Sequence, residues 1–451
     1  MENILSNKAL LSSLIFLIVY ILILLEKYFH RTVTVLIFAS VVILLGLLEP
    51  HKAWGYIDYN TIFLLFGMMN IVIIMGKSGL FHLLASKVLD ITGNNIYKII
   101  IFFATFTAIA SALLDNVTTV LFLTPIIIRL CENIKVNPVP IVISIILASN
   151  TGGAATLIGD PPNIIIGSIA KKSFVDFLIH VSIPAFTGFI AGLIVNILML
   201  KYIIKLDNIK IEQKDVKQIE ELEKDLVIDY KLMKISLGFF ILTIILFIIG
   251  HKLHWETGII ALFTSSLLML FTKLSPIEIF EKIEWATIFF FIGLFIIVGA
   301  MEEHHVFSVI SNTLINLIGD NLYKGMVIIS FSSMFISGIV DNIPYTMAFA
   351  KVLKEVVSIN SNLDPLWWAL SIGACMGGNL TLIGASANIV AADISTRKGY
   401  KLDFITFLKY GTPVAIVSTL TAIITYIVLH IFFLPLFSFL SFLHFQLPKF
   451  Y

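Results

Sequence analysis

Long uninterrupted apolar runs constrain this chain more than any other feature of its sequence. Residues 9–25, 32–48, 235–250 and 414–434 stay apolar for about 17–21 residues each, roughly what an α-helix needs to cross a 30 Å hydrocarbon core. No soluble core needs so many such runs. Composition agrees: 58% of the 451 residues are hydrophobic and only 13% are charged. Soluble domains lie nearer half apolar and a quarter charged. The chain is therefore read as an all-α polytopic membrane protein. A net charge of +1 gives no electrostatic reason to expect a nucleic-acid partner. Cys131 and Cys375 stand far apart and outside any CxxC pattern, which argues against a disulfide framework or a zinc site. Lys8 before the first run is compatible with a cleaved leader. That run ends in Leu25-Glu26-Lys27 with no small-residue cleavage site, so it reads as the first retained helix.

Ten crossings are expected. Five lie near 9–26, 32–48, 60–76, 139–171 and 176–203, and five near 235–251, 257–273, 286–301, 364–395 and 405–432. The fourth and ninth, 139–171 and 364–395, are long and interrupted. Two further segments, 97–131 and 323–355, each break at an Asp-Asn pair. Their arms look too short to span, so each is expected to enter and leave on one side as a re-entrant hairpin. The hydrophilic stretch 205–231 separates a first unit (1–204) from a second (232–434), with 435–451 as a tail; its plain reading is a solvated linker helix. The Lys/Arg bias, with Lys27, Arg31, Lys77, Lys87, Lys205, Lys273 and Arg397 among the majority, makes that linker cytoplasmic and puts both termini outside a cell (inner) membrane.

The two units match each other. At an offset of 226, Asp58 meets Glu284, Thr61-Ile62-Phe63 meets Thr287-Ile288-Phe289, Gly67 meets Gly293, and Asp115-Asn116 meets Asp341-Asn342. After one deletion the offset is 225, and Thr156, Leu157-Ile158-Gly159 and Asn163 meet Thr381, Leu382-Ile383-Gly384 and Asn388. Chance pairs apolar letters easily in a membrane protein, but it does not align Asp-Asn, Gly and Asn in order. Five crossings is an odd number, so the second unit must lie upside down. Inverted repeats with broken helices meeting near mid-membrane are the architecture of many secondary transporters.

The polar residues inside these units carry the chemistry. A charge at mid-membrane costs several kcal/mol unless it is paired, hydrated or protonated, so Asp115 and Asp341 are not decoration. They could also cap the helices that follow them, since Asp and Asn are good N-caps. SNTGGAATLIGDPPNIIIGS (149–168) and MGGNLTLIGASANIV (376–390) cannot continue regular helices. Unwound backbone at membrane depth is tolerated where it is buried in protein or lines a cavity, and there its carbonyls can bind Na⁺. The competing reading is a pair of packing kinks. The candidate ion- and substrate-binding residues are Asp115, Asn116, Thr118, Asn150, Thr151, Gly159, Asp160 and Asn163 in the first unit. In the second they are Asp341, Asn342, Asn379, Thr381, Gly384, Ser386 and Asn388. Glu302-Glu303-His304-His305 has metal-ligand residue types but reads as a solvated loop. Trp54 and Trp367-Trp368 read as interfacial belts, Lys171-Lys172 as a helix-end anchor, and Cys375 as small-residue packing.

The motifs DNVTTVLFLTP, GGAATLIGDPPNIIIGS, DNIPYTMAF and GGNLTLIGASANIV resemble the ion transporter superfamily. They look like its arsenite permease, D-type sodium/proton antiporter and melanosomal P-protein branch. The likeness runs over nearly the whole chain. It implies a scaffold subdomain, a moving transport subdomain, an elevator-like motion and a homodimer through scaffold helices. In the related divalent-anion/sodium symporters the hairpin tips carry Ser-Asn-Thr, and that motif forms sodium sites with a glycine of the broken helix. Carried over, the Na⁺ positions are Asn116 with Gly159 and Asn342 with Gly384, beside Asp115 and Asp341. Asp in place of Ser adds two negative charges, which would repel a dicarboxylate. Leu380 stands where this branch commonly has Gly after GGN, which implies a tighter pocket there.

The preferred reading is a secondary active transporter of a small ion or metalloid, coupled to H⁺ or Na⁺ that Asp115 and Asp341 bind and release in alternating-access states. Arsenite or antimonite, largely uncharged hydroxides near neutral pH, would suit a polar site without Arg. Na⁺/H⁺ antiport is the alternative. A dicarboxylate symporter and an ion channel built on the same hairpins rank below it. A membrane enzyme ranks last, because no nucleophile or His/Glu metal constellation supports one. No P-loop is present, so ATP hydrolysis within the chain is not expected. The sequence leaves an ATPase partner open, and no cofactor is expected beyond the coupling ion.

Overall fold

In lipid every backbone N–H and C=O must be satisfied internally, and the apolar runs meet that demand as helices. The computed structural model describes residues 2–25, 28–81, 83, 92, 95–202, 228–319 and 321–432. Among them there are helices and turns and no strands. All but the last four residues of the expected linker 205–231 lie outside the described residues, as do the tail 435–451, Lys27, Lys87 and Lys205.

The first unit comprises α1 (Glu2–Leu24), α2 (Arg31–Leu44), α3 (Pro50–Tyr56) and α4 (Tyr59–Lys77), then α5 (Ile96–Leu113) and α6 (Asn116–Asn133). It closes with α7 (Val139–Gly153), α8 (Pro161–Ala170), α9 (Phe174–His180) and α10 (Ser182–Tyr202). The second begins with α11 (Tyr230–Leu253), α12 (Thr257–Phe271), α13 (Pro276–Phe280), α14 (Trp285–Glu303) and α15 (Val306–Ile318). It continues through α16 (Leu322–Val340), α17 (Asn342–Ile359), α18 (Leu366–Gly377), α19 (Ser386–Arg397) and α20 (Phe404–Phe432). Eight of these are long and apolar enough to cross a membrane. Helices occupy all ten expected segments: α1, α4, α10, α11, α14 and α20 are among the eight, α2 and α12 are shorter, and α7–α8 and α18–α19 are the interrupted pairs; the other two of the eight are the hairpin arms α5 and α16. The short helices α3, α9, α13 and α15 were not anticipated.

The second unit is inverted, and particular contacts show it. The fifth crossings, α10 and α20, pack together. Thr187 bonds Thr425 at 2.9 Å, while a Cβ on Gly192 would lie 3.0 Å from Val414 Cγ1. Contacts climb one helix as they descend the other, so these counterparts run antiparallel. Exchange of equivalent contacts agrees: α2 packs on α14 as α12 packs on α4. A Cβ on Gly293 would sit 2.7 Å from Val35 Cγ1, and one on Gly67 would sit 2.5 Å from the carbonyl carbon of Ala261. The 226 offset turns one contact into the other, and glycine is what admits so close an approach.

The helices sort into two bodies. α1, α2, α4, α11, α12 and α14 pack among themselves. The second body is built from α5–α8, α10 and α16–α20, whose principal contacts are α5 on α7, α16 on α18, α6 on α19, α8 on α17 and α10 on α20.

Three expectations are corrected. The hairpin arms are 18 or 19 residues long, about 27 Å of helix, as long as a crossing element. The position of the tips, deep in the protein, distinguishes them from ordinary crossings. Of Glu302–His305 only His305 is exposed; the other three side chains are bonded to the protein. Glu303 bonds Lys52 (2.6 Å) and Tyr56 (2.9 Å), Glu302 pairs with Lys351 (2.6 Å), and His304 Nε2 meets the Leu47 carbonyl (2.8 Å). Among the described residues no cluster of three His, Cys, Asp or Glu side chains could hold a metal. Trp367 and Trp368 are buried; Trp368 stacks on His180 with centroids 4.6 Å apart, beside the Lys172–Asp364 ion pair (2.7 Å). Trp54 is exposed.

Candidate functional site

Each broken helix stops where its glycines let backbone meet backbone. α7 ends at Gly153, where a Cβ would lie 2.6 Å from the Gly159 carbonyl oxygen. α18 ends at Gly377, where a Cβ would lie 2.6 Å from the Met334 carbonyl oxygen. The freed carbonyls are then tied by one asparagine in each unit. Asn163 Nδ2 donates to Ala154 (3.1 Å) and Thr156 (2.8 Å), and Asn388 Nδ2 donates to Gly378 (2.7 Å) and Thr381 (3.0 Å). Thr156 and Thr381 donate in turn to Ala112 and Gly338 on the neighbouring hairpin arms. The Asn342 amide reaches the Gly384 carbonyl at 3.1 Å, so the second tip closes directly onto the second break.

At the tips both aspartates cap helices, as expected. Asp115 Oδ1 accepts the Thr118 amide (2.9 Å), and Asp115 Oδ2 accepts the Thr118 hydroxyl. Asp341 Oδ1 accepts the Ile343 amide at 2.9 Å. Its other oxygen faces Arg31 Nη1 at 3.4 Å, and the same nitrogen donates to Ser386 Oγ. Arg31 is the first residue of α2, and its side chain is only 14% exposed. The expectation of a site without Arg is thus overturned. Arg31 is no orienting surface charge either, because it turns inward to a buried carboxylate.

Both tips converge on Asp160, a fully buried carboxylate. Asn116 Nδ2 donates to Asp160 Oδ1 at 3.1 Å and Asn342 Nδ2 to the same oxygen at 3.3 Å. Equivalent asparagines of the two inverted units therefore grip one oxygen. Asp160 occupies the N-cap position of α8, yet its side chain makes no capping bond. Its counterpart at the 225 offset is Ala385, so the site is asymmetric at its centre. The Asn116 side-chain oxygen is buried and meets no hydrogen-bond donor among the described residues.

The remaining candidates form a polar layer beside this carboxylate. Asn150 accepts from Asn116 (3.3 Å) and donates to Asn379 (3.0 Å) and Asn388 (2.9 Å). Asn379 donates to Thr151 Oγ1 (2.9 Å), whose hydroxyl returns to the Leu147 carbonyl (2.8 Å). Asn163 Oδ1 accepts from Ser371 (2.6 Å) and from the Cys375 thiol (3.4 Å). Cys375 is thus packed and also holds a polar partner. Leu380 fills space under Gly338, where a Cβ would lie 2.5 Å from Leu380 Cβ; it seals the hairpin against the break. Sequence reasoning missed Arg31 and Ser371. Arg31 arrives from another helix, so no spacing rule ties it to the motifs; Ser371 stands on α18, the broken helix itself, but its partner Asn163 belongs to the other unit.

A citrate transporter family model matches residues 20–373. The chain belongs to the citrate transporter family. An uncharacterized transporter of Mycobacterium tuberculosis is 34% identical over 418 residues, covering 91% of this chain and 96% of that one. The P protein of Homo sapiens is 30% identical over 457 residues, covering 83% of this chain and 54% of that longer protein. The P-protein resemblance expected from the motifs is borne out. In structure, the Alcanivorax borkumensis YdaH transporter matches with a TM-score of 0.55 at 11% identity, over 95% of this chain and 99% of that one; this likeness speaks for the fold alone. The protein is a multi-pass membrane transporter and not an enzyme.

Proposed function

We propose that the protein is a secondary transporter of elevator type, coupled to H⁺ or Na⁺, in which Asp160 takes up and releases the coupling cation. The observation that carries this reading is the Asp160 carboxylate, gripped by the tip asparagines of both inverted units and uncommitted to capping. A proton there would be held as a neutral acid. A Na⁺ ion there would gain the orphaned oxygen of Asn116 as a second ligand. Asp115 and Asp341 hold helix starts and add negative charge around that centre. Two separately packed bodies support the elevator motion, with the homodimer formed through the first of them and both termini outside the cell membrane.

The substrate that fits is a small cation or a neutral hydroxide of the arsenite or antimonite kind. Three carboxylates outweigh one guanidinium and repel a free polyanion. Na⁺/H⁺ exchange uses the same centre with no further ligand. Arg31 favours a second reading, symport of a carboxylate anion such as the citrate of the family description, with accompanying cations offsetting the negative site. A flux screen in proteoliposomes separates these. Na⁺, Li⁺, arsenite and citrate are each offered with and without a pH gradient, to wild type and to Asp160→Asn. Uphill movement of Na⁺ or arsenite driven by the gradient and lost in Asp160→Asn is the expected result. Citrate uptake alone would move the assignment to the second reading, and purely downhill current would make the protein a channel.

A further inference from the structure

Arg31 belongs to the first body, through α2, but its guanidinium ends on the second, at Asp341 of the hairpin tip and Ser386 of the broken helix. Among the described residues no Arg or Lys pairs with the equivalent Asp115, whose printed side-chain bonds go to Thr118. At the 226 offset Arg31 becomes Thr257, the first residue of α12. The reason the two half-sites differ lies in the tips. Asp115 satisfies its second oxygen with the hydroxyl of Thr118. The equivalent of Thr118 in the second unit is Pro344, which has neither a hydroxyl nor an N–H. With one oxygen on the Ile343 amide, Asp341 turns its other oxygen outside its own turn, to Arg31. Its backbone is also held at φ 92°, a conformation that favours glycine, whereas Asp115 sits at φ −75°.

We propose that Arg31 is a tethered cation at Asp341 that competes with the coupling cation for the negative charge of the Asp160 centre beside it, latching the moving body to the stationary one until that cation displaces it. The proposal rests on the cation-coupled, two-body reading above and assigns a residue and an order of events to it. Arg stays protonated at any physiological pH, so it cannot hand over a proton and can only be exchanged for another positive charge. Exchange keeps the charge beside Asp341 constant while it breaks the bond between bodies. A released Arg31 has a place to rest on its own body, since its guanidinium already faces the Phe290 ring of α14 at 5.5 Å. The start of α2 is pinned to the same helix by the Thr32 hydroxyl on the Ala286 carbonyl at 2.9 Å. The arginine therefore stays with α14 when the hairpin leaves.

The test uses the full chain in nanodiscs and two readouts. The first is the Na⁺ concentration that gives half of the thermal shift, with choline as the control ion. Arg31→Gln should lower that concentration about tenfold or more, since a competing charge has been removed, and Arg31→Lys should stay near wild type. The second readout is the distance between spin labels on Ile37→Cys of α2 and Leu420→Cys of α20, both of which face outward. Without Na⁺, Arg31→Gln should broaden or shift this distribution. The charge-neutral pair Arg31→Gln/Asp341→Asn should do the same, which guards against an effect of the buried carboxylate left alone. An unchanged Na⁺ midpoint in a responsive protein, or an unchanged distance distribution, overturns the proposal. If Na⁺, Li⁺ and acidification all fail to shift wild type and Arg31→Gln alike, cation coupling itself fails, and the distances alone decide whether Arg31 latches the bodies.

Discussion

Two kinds of buried carboxylate stand side by side in this protein, and their hydrogen bonds tell them apart. Asp115 spends both oxygens on Thr118, the duty of an N-cap. Asp115→Ala should therefore cost about 1 kcal/mol of stability, read as a lowered melting temperature, and Asp115→Asn should recover most of it because Asn also caps. Asp160 spends nothing on its own helix and receives both tip amides instead. Asp160→Asn should leave the melting temperature within a few degrees and abolish cation dependence of flux. An Asp160→Asn protein with wild-type coupling would return the role to the tips. The sequence showed all three aspartates within the motifs, and it ranked the duplicated pair above the single one. That ranking came from symmetry, and the centre of an inverted pair is the place where one residue can serve both halves and needs no copy.

Helices in this fold are positioned by how closely their backbones approach. Gly152 on α7 leaves room for the Ala108 carbonyl of α5, where a Cβ would lie 2.3 Å from the oxygen. Gly238 on α11 has nothing within 4 Å of its would-be Cβ. Gly152→Ala should thus destabilise by about 1–3 kcal/mol through overpacking, while Gly238→Ala should be neutral or slightly stabilising; paired thermal melts in detergent check both. Element type was legible from apolar length, the first break from Gly and Pro, and the second from Gly and its match to the first. Arm length was misjudged, because the Asp-Asn pair marks where a hairpin turns and carries no information about where its arms begin. The burial of Trp367 and Trp368 was also illegible. The partners of Trp368, His180 and Phe177, come from α9, about 190 residues away in sequence.

Across the whole molecule, inversion and the division into two bodies are what function needs, and orientation is what remains to be measured. With the Lys/Arg bias as a guide, Lys252→Cys before α12 should label from outside and Lys273→Cys after it from the cytoplasm, using a membrane-impermeant maleimide. The reverse pattern would turn the protein over without altering its fold. By itself the sequence determined that the chain crosses a membrane, that it is a duplication, and that the second copy is upside down. Those properties follow from local quantities: apolar length, motif order and the parity of crossings. Only the tertiary structure decided that Asp160 lies at the centre and that Arg31 reaches the neighbouring Asp341 from the other body. Those are contacts between residues hundreds of positions apart, set by how inverted helices pack, and no local pattern in either copy encodes them.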